Sequence, residues 1–436
     1  MRRAFDIVII GAGPAGMAAA QAAAASGAAI AVVDDNVKSG GQIWRGGPDE
    51  SKDGRAIALW SALREARNVE FFSRTRICAP LDGKELLAET PDGALILQYG
   101  TLILATGARE RLLPFPGWTL PGVTGAGGLQ ALSKGGYPVA GKRVVVAGSG
   151  PLLLAVAATL KIKGAEVVAI FEQAPWHRVA RFGLSLALTP GKLKQAMQLR
   201  ATLSGVPYRA GSHVVAAKGK DVLEKISVMQ GGRRREIDCD YLACGYGLIP
   251  NVELASALGC ATIDGAVRVD GLQRTSVPDV FCAGEGTGVG GVDLSLVEGK
   301  IAGLAAAQRS QDAEPHFAER ERWRAFARRL ERAFALRPDL RSLCEPDTIV
   351  CRCEDVAHRS LASHPNWRSA KLHTRCGMGP CQGRICGGAT GFLYGWTQDS
   401  IRMPLSPTRI GSLLAGGEAA GTELNAAAAG PDTPSA

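Results

Sequence analysis

The chain has 436 residues, of which 46% are hydrophobic, 6% aromatic and 55 glycine. That balance predicts two or three packed α/β domains and excludes a disordered or fibrous chain. The net charge of +9 invites a nucleic-acid partner, but the basic residues are dispersed and come without stacking aromatics or a nucleic-acid motif, so no such partner is expected.

At the N-terminus, MRRAFDIVIIGAG carries an apolar run too short for a signal peptide. No segment reaches the roughly 18 consecutive apolar residues of a membrane helix. A cytoplasmic chain without a transmembrane segment is therefore expected. Ile7–Ile10 reads as a buried strand. It runs into a G-x-G-x-x-G at Gly11, Gly13 and Gly16, a helix of small residues, and a second strand, Ile30–Val33, that ends on Asp34. In this order Gly11 makes the tight turn, Gly13 admits a pyrophosphate and Gly16 lets helix and strand pack closely. Asp34, 23 residues after Gly11, stands where an acid accepts ribose hydroxyls.

A strand followed by Ala105, Thr106 and Gly107 comes next. A second copy of the nucleotide pattern then starts at Val144–Ala147, with Gly148, Gly150 and a terminal acid, Glu172. Its third glycine position is Leu153. Glu172 favours a free 2′-hydroxyl, so NAD(H) or an adenine nucleotide is the expected ligand. A fold retained for structure alone is the alternative. His177 and His213 lie in this copy without a partner motif and read as ordinary solvent or core histidines. A late strand ends on Gly284 and Glu285, and the stretch Arg320 to Phe334 alternates charge around apolar residues as a solvated helix would.

Five of the eleven cysteines, Cys351, Cys353, Cys376, Cys381 and Cys386, fall near the C-terminus in CRCE and TRCGMGPCQGRIC. In a reducing compartment such clustering indicates a metal or redox site. The C-x-C and C-x4-C spacings do not match zinc knuckles, so a [2Fe–2S] cluster is preferred and zinc is the competing reading. The tail NAAAAGPDTPSA is small and polar and is expected to be disordered.

The two G-x-G-x-x-G-type segments, the ATG segment and the GE segment together resemble the two-dinucleotide-domain flavoproteins, a superfamily that includes thioredoxin and glutathione reductases. The resemblance implies an α/β fold with two Rossmann-like domains, one inserted in the other, and FAD in the first. The redox cysteine pair of the disulfide reductases has no counterpart at SGGQIWRGG or in the second fold. More closely, GGQIWR, GSGPLLLAVA, CAGEGTGVGGVDLSLVEGK and the cysteine segments resemble one group from about Asp6 to Leu414. These are the FAD/NAD-binding α subunits of heteromeric amino-acid and opine dehydrogenases. They include the A subunits of octopine and nopaline oxidases, the B subunit of hydrogen cyanide synthase and the α subunits of hydroxyproline dehydrogenases. Their C-terminal module is related to bacterioferritin-associated ferredoxin.

The resemblance implies that FAD is held by Gly11, Gly13, Pro14, Ala15, Gly16, Asp34, Gly41, Gln42, Ala105, Thr106, Gly107, Gly284 and Glu285. The second nucleotide would lie on Gly148, Gly150 and Glu172, and the cluster on Cys351, Cys353, Cys376 and Cys381, with Cys386 spare. It implies a discontinuous FAD domain (1–125 and 240–310), an inserted domain (135–239), a helical linker (314–342), a cysteine module (346–395) and a C-terminal extension (396–436). It also implies an electron-transfer role without a catalytic residue in this chain. The implied partner is a D-amino-acid-oxidase-like flavoprotein β subunit, and a further candidate is a small ferredoxin-like subunit. A stand-alone NAD(P)H:acceptor reductase and a zinc-holding scaffold are the competing functions.

Overall fold

A computed structural model describes residues 1–49, 51, 53–398 and 401–417. The C-terminal stretch expected to be disordered lies outside the described residues. The chain forms two compact units, one of 1–107, 250–321 and the described residues from 401 on, the other of 108–249 and 322–398. Both centre on a parallel sheet, as the α/β reading requires.

In the first unit, the strand Arg2–Ile10 pairs in parallel with Ile30–Val33 on one side and with Gly93–Leu104 on the other. Val69–Phe72 continues the sheet beyond Ile30–Val33. Ile7–Ile10 and Ile30–Val33 are buried along their whole length. Strands covered on both faces need continuous apolar runs, which is why these two are so plain in the sequence. Gly93–Leu104 is long enough to serve twice: its first half pairs antiparallel with Glu85–Thr90, and Leu102–Leu104 pair in parallel with Val280–Cys282.

The helix Pro14–Ala24 begins directly after Gly13, with proline in its first turn. Beyond Pro14, Met17 and Gln21 it contains only alanine and glycine, and the helix Val292–Ala306 packs against it. A Cβ on Gly299 would fall 2.1 Å from the Ala15 carbonyl oxygen, and one on Gly303 2.2 Å from that of Ala19. The two helices therefore meet backbone to backbone.

The second unit's main sheet has the order Tyr208–Ala210, Glu166–Glu172, Arg143–Gly148, Tyr241–Gly245, Val123–Gly125, all parallel. The last two strands lie inside sequence ranges expected to belong to the FAD domain. Their pairing with Arg143–Gly148 and with each other places them in the inserted sheet, because strand partnership follows tertiary register rather than local composition. A three-stranded antiparallel sheet follows, Ser212–Lys218, Lys225–Gln230 and Arg233–Asp238.

The helix Phe317–Phe334 is more than a solvated helix. Phe326 is buried with Phe182 and Leu186, and Trp323, Leu330 and Phe334 pack on that cluster. Beyond it, Leu340 and Leu343 join the second unit's core beside Leu242 and Cys244. The cysteine segment is a short hairpin, Ile349–Cys351 with Val356–Ala357, and three helices, His358–Leu361, Trp367–Thr374 and Cys386–Tyr394. The Trp118 indole N–H donates to the Ile349 carbonyl at 2.5 Å, and Arg109 Nε to that of Arg384 at 3.0 Å. The linker from Arg322 on and the cysteine segment are thus built into the second unit.

Gly299→Ala and Gly303→Ala should each destabilise the protein by about 1–3 kcal/mol, the usual cost of overpacking. Denaturant unfolding checks this; an unchanged midpoint would show that the helices do not meet at backbone distance.

Candidate functional site

The first glycine loop is defined by what it cannot accommodate and by the one place it leaves open. Gly11 has φ +108°, and a Cβ there would lie 2.2 Å from the Ala105 carbonyl oxygen. A Cβ on Gly16 would lie 1.8 Å from that of Gly11. At Gly13, in contrast, the nearest heavy atom to such a Cβ is Gly41 Cα, 3.9 Å away. Gly40 N–H donates to the Ala12 carbonyl at 2.7 Å, which lays the second glycine segment against the first. Trp60 Nε1 donates to Ser39 Oγ at 2.8 Å, and the buried Trp44 packs 6.0 Å from the Trp60 ring, so two indoles brace this segment. The result is a side-chain-free cradle at a helix N-terminus, where free N–H groups and the helix dipole favour phosphate.

The other predicted positions converge on this cradle. A Cβ on Gly284 (φ +76°) would meet Ala15 Cβ at 2.7 Å, and one on Gly286 would lie 3.6 Å from Thr106 Oγ1. Thr106 Oγ1 donates to the Asn251 carbonyl at 2.7 Å, and Asn251 Nδ2 returns a bond to the Thr106 carbonyl at 2.9 Å. Asp34 Oδ2 accepts the Ala12 N–H at 2.6 Å, and Oδ1 accepts from Asn36 N and Nδ2. A carboxylate oxygen has two acceptor positions, so Oδ2 retains one for a ribose hydroxyl. Burial pushes the Glu285 carboxyl above its ordinary range. Gln42 differs from its neighbours: it is exposed and its Oε1 accepts from Arg45 at 2.9 Å.

Two residues of this region are not among the positions expected from the sequence. Asn251 ties down the Thr106 turn. Glu298, 1% exposed, accepts the Gly284 N–H at 3.2 Å and the Thr287 hydroxyl at 2.8 Å, holding the 284–287 turn in place. Neither lies in a spaced motif. A glutamate two turns into the mostly apolar stretch VDLSLVEGKIAGLAA is the clue the sequence offers for Glu298.

The second glycine loop has the same skeleton and a different environment. Gly148 has φ +142°, and a Cβ there would strike the Gly245 carbonyl oxygen at 1.9 Å. Glu172 is 0% exposed; its Oε2 accepts Gly150 N–H at 2.7 Å and its Oε1 accepts Ala174 N–H at 2.8 Å. Burial pushes its carboxyl up to about 7. On the open side of the loop stands the end of the helix Phe317–Phe334. Ser149 Oγ donates to the Phe334 carbonyl at 2.7 Å, and Gln173, also 0% exposed, reaches the Phe334 and Ala335 carbonyls through Nε2.

The thiols form two groups. The sulfurs of Cys351, Cys376 and Cys386 lie within 4.8 Å of one another, all buried. Cys353, exposed, and Cys381, half-buried, share a hydrogen bond of their own. The ligand set expected from the sequence is therefore divided between the groups. Cys386, expected to be spare, belongs to the trio because the helix Cys386–Tyr394 starts inside the cysteine core.

Hydrogen bonds from Cys376 and Cys386 hold the Cys351 thiol well below its ordinary range, and their bonds to Cys351 push the Cys376 and Cys386 thiols up. Backbone N–H groups of Gly377 and Glu354 also point at that sulfur. Glycines make the room: a Cβ on Gly379 would lie 2.3 Å from Cys353 Cβ, and one on Gly377 2.5 Å from the Trp367 ring. Clustered sulfurs with inward N–H donors suit a bound metal or iron–sulfur cluster.

Comparison with known proteins agrees with this geometry. The family described as "Pyridine nucleotide-disulphide oxidoreductase" matches residues 5–310. The A subunit of opine oxidase from Agrobacterium tumefaciens (strain Ach5) is 31% identical, over 94% of this chain and 91% of its own length. Hydrogen cyanide synthase subunit HcnB of Pseudomonas aeruginosa is 32% identical, over 92% of this chain and 96% of its own. The crystal structure of L-proline dehydrogenase from P. horikoshii shares the fold, with a TM-score of 0.64 over 94% of this chain and 80% of that one at 18% identity. No helix among the described residues is long and apolar enough to cross a membrane. The chain belongs to the pyridine nucleotide-disulphide oxidoreductase family, in the branch that contains the opine oxidase A subunits and hydrogen cyanide synthase subunit HcnB.

Proposed function

We propose that this chain is the electron-transfer subunit of a heteromeric, FAD-dependent amino-acid, imino-acid or opine dehydrogenase. The open cradle at Gly13 is the observation that carries the reading. It leaves space for a pyrophosphate at a helix N-terminus, with Asp34 placed for the ribose and the 105–107 and 284–285 turns beside it. FAD would supply the exchange of an electron pair for single electrons. Around it, the chain's own residues bind and orient: Gly13 and Gly41 admit the phosphates, Asp34 takes a ribose hydroxyl, and Glu298 fixes the turn that carries Glu285.

The amine-oxidising step belongs to a partner, a D-amino-acid-oxidase-like flavoprotein subunit. There a C–N single bond loses two electrons and two protons. The electron pair would pass to the flavin of this chain, and a metal cluster held by Cys351, Cys376 and Cys386 with the Cys353–Cys381 pair would hand the electrons on singly to an acceptor or to a small ferredoxin-like subunit. The names of the relatives, which are oxidase and synthase subunits, support this division of labour.

The thiolate centre is proposed to hold a [2Fe–2S] cluster. Cys351, Cys376 and Cys386 supply ligands, and the Cys353–Cys381 pair supplies the last. Zinc is the second reading, and one observation favours it: sulfurs around a tetrahedral ion lie about 3.8 Å apart at a metal–sulfur distance of about 2.3 Å, which the compact trio approaches. Iron, labile sulfide and zinc analysis of anaerobically purified protein separates the two readings.

Three outcomes are expected. Gly13→Val should purify with less than about a tenth of the parent's flavin, because its side chain fills the phosphate space; parental flavin content would displace FAD from the first fold. Cys351→Ser, Cys376→Ser and Cys386→Ser should each retain less than about a tenth of the metal, while Cys353→Ser and Cys381→Ser, each with a neighbouring substitute, should keep more. Full metal in Cys386→Ser would remove it from the ligand set. In dye-linked assays over opines, prolines, hydroxyprolines and glycine, the chain alone should be inactive and gain turnover when co-expressed with its partner. Turnover by the chain alone would overturn its assignment as an electron-transfer subunit.

A further inference from the structure

We infer that the second nucleotide fold does not take a dinucleotide, because its binding surface is filled by the chain's own segment Phe334–Arg337. The inference deepens the proposed function by removing pyridine nucleotide as an electron source, and it rests only on the geometry of the second unit.

A dinucleotide on a Rossmann-type fold needs two anchor points: the pyrophosphate over the second glycine, and the ribose at the acid ending the second strand. Both are taken. Over the glycine, a Cβ on Gly150 would meet the Phe334 side chain, Cγ at 3.8 Å and Cβ at 3.9 Å, whereas the neighbour at a similar distance, 3.9 Å, from the equivalent Gly13 is Gly41, which carries no side chain. The Ser149 hydroxyl, which would otherwise face a phosphate, donates to the Phe334 carbonyl at 2.7 Å. At the ribose position, Glu172 differs from Asp34 by its burial: both acids accept backbone N–H groups at each carboxylate oxygen, but Glu172 is wholly buried and Asp34 only half-buried. The next residue, Gln173, faces the segment instead: its amide nitrogen reaches the Ala335 carbonyl at 3.3 Å, and its oxygen accepts Arg337 N–H at 3.1 Å.

The segment is fastened from both ends. The Phe334 ring stands edge-on to Phe182, with centroids 5.2 Å apart. The Arg337 guanidinium donates to Nδ1 of the buried His213 at 2.8 Å and pairs with Asp339 at 3.0 Å. A nucleotide would have to break these bonds and expose Phe334 before making any of its own. The second nucleotide fold here seats the segment leading to the cysteine cluster. The reductant must then come from a reaction that delivers electrons through protein, such as a partner's oxidation of a C–N bond, and not from NADH or NADPH.

The test uses the full-length, flavin-loaded chain and NADH, NADPH and ATP at about 5 mM, above the usual micromolar-to-millimolar range of such sites. Anaerobic addition of NADH or NADPH should leave the flavin absorbance unbleached. Hydrogen exchange at Phe334–Leu340 and at Gly148–Gly150 should be the same with and without each nucleotide. Gln173→Ala should raise exchange at 335–337 about five-fold, the scale of one net hydrogen bond. Bleaching, a nucleotide-dependent change in exchange at either segment, or unchanged exchange in Gln173→Ala would each overturn the inference. The exchange readout involves neither metal nor partner, so its failure is distinct from failure of the electron-transfer reading.

Discussion

The contact between Pro14–Ala24 and Val292–Ala306 is the constraint on which the first unit depends. Gly299 and Gly303 let the second helix lie against the carbonyls of Ala15 and Ala19. The same crossing brings Ser295 and Glu298 to Gly284, so one packing event sets both the pitch of the phosphate helix and the position of the late acidic turn. Larger side chains would gain more from burial, at roughly 25 cal/mol per Å², but they would separate the helices. The alanine- and glycine-rich composition thus exchanges apolar area for closeness, and closeness aims the helix N-terminus.

The two nucleotide folds show how little a glycine motif decides by itself. Gly11 and Gly148 are constrained alike, each by a carbonyl about 2 Å from a hypothetical Cβ. The folds differ in what stands near the second glycine at a similar distance: the side-chain-free Gly41 in one, the side chain of Phe334 in the other, whose carbonyl also takes the Ser149 hydroxyl. The acids differ too. Asp34 remains partly accessible, whereas Glu172 is turned inward and held by its own loop. The motif preserves the strand–turn–helix geometry, and the surroundings determine whether a ligand can use it.

Much of this could be read from the chain because parallel strands buried on both faces leave continuous apolar runs. Ile7–Ile10, Ile30–Val33 and Val144–Ala147 are such runs, and the glycines that follow them mark the loops. Tyr241–Gly245 has the same character, yet nothing local tells which sheet it joins; only its pairing with Arg143–Gly148 decides. Phe334 reads as the end of an amphipathic helix, and its place over Gly150 depends on contacts 184 residues apart in sequence. The family resemblance makes Cys386 a spare thiol, whereas the fold places its sulfur with those of Cys351 and Cys376. Its place in that trio follows from the helix Cys386–Tyr394 starting inside the cysteine core, which spacing does not encode.

The Trp118 indole bond to Ile349 bears on how the protein can be taken apart. The hairpin that carries Cys351 offers its acceptor to a donor more than two hundred residues earlier, and the linker before it gives Leu340 and Leu343 to the second unit's core. The C-terminal segment is therefore not a cartridge. Excised, it would expose two leucines and lose the brace on its first strand; exchanged with a relative's, it would have to bring a matching indole seat. Moving the cysteine cluster of this chain into another protein means moving the second nucleotide fold with it, so the two are engineered as one piece.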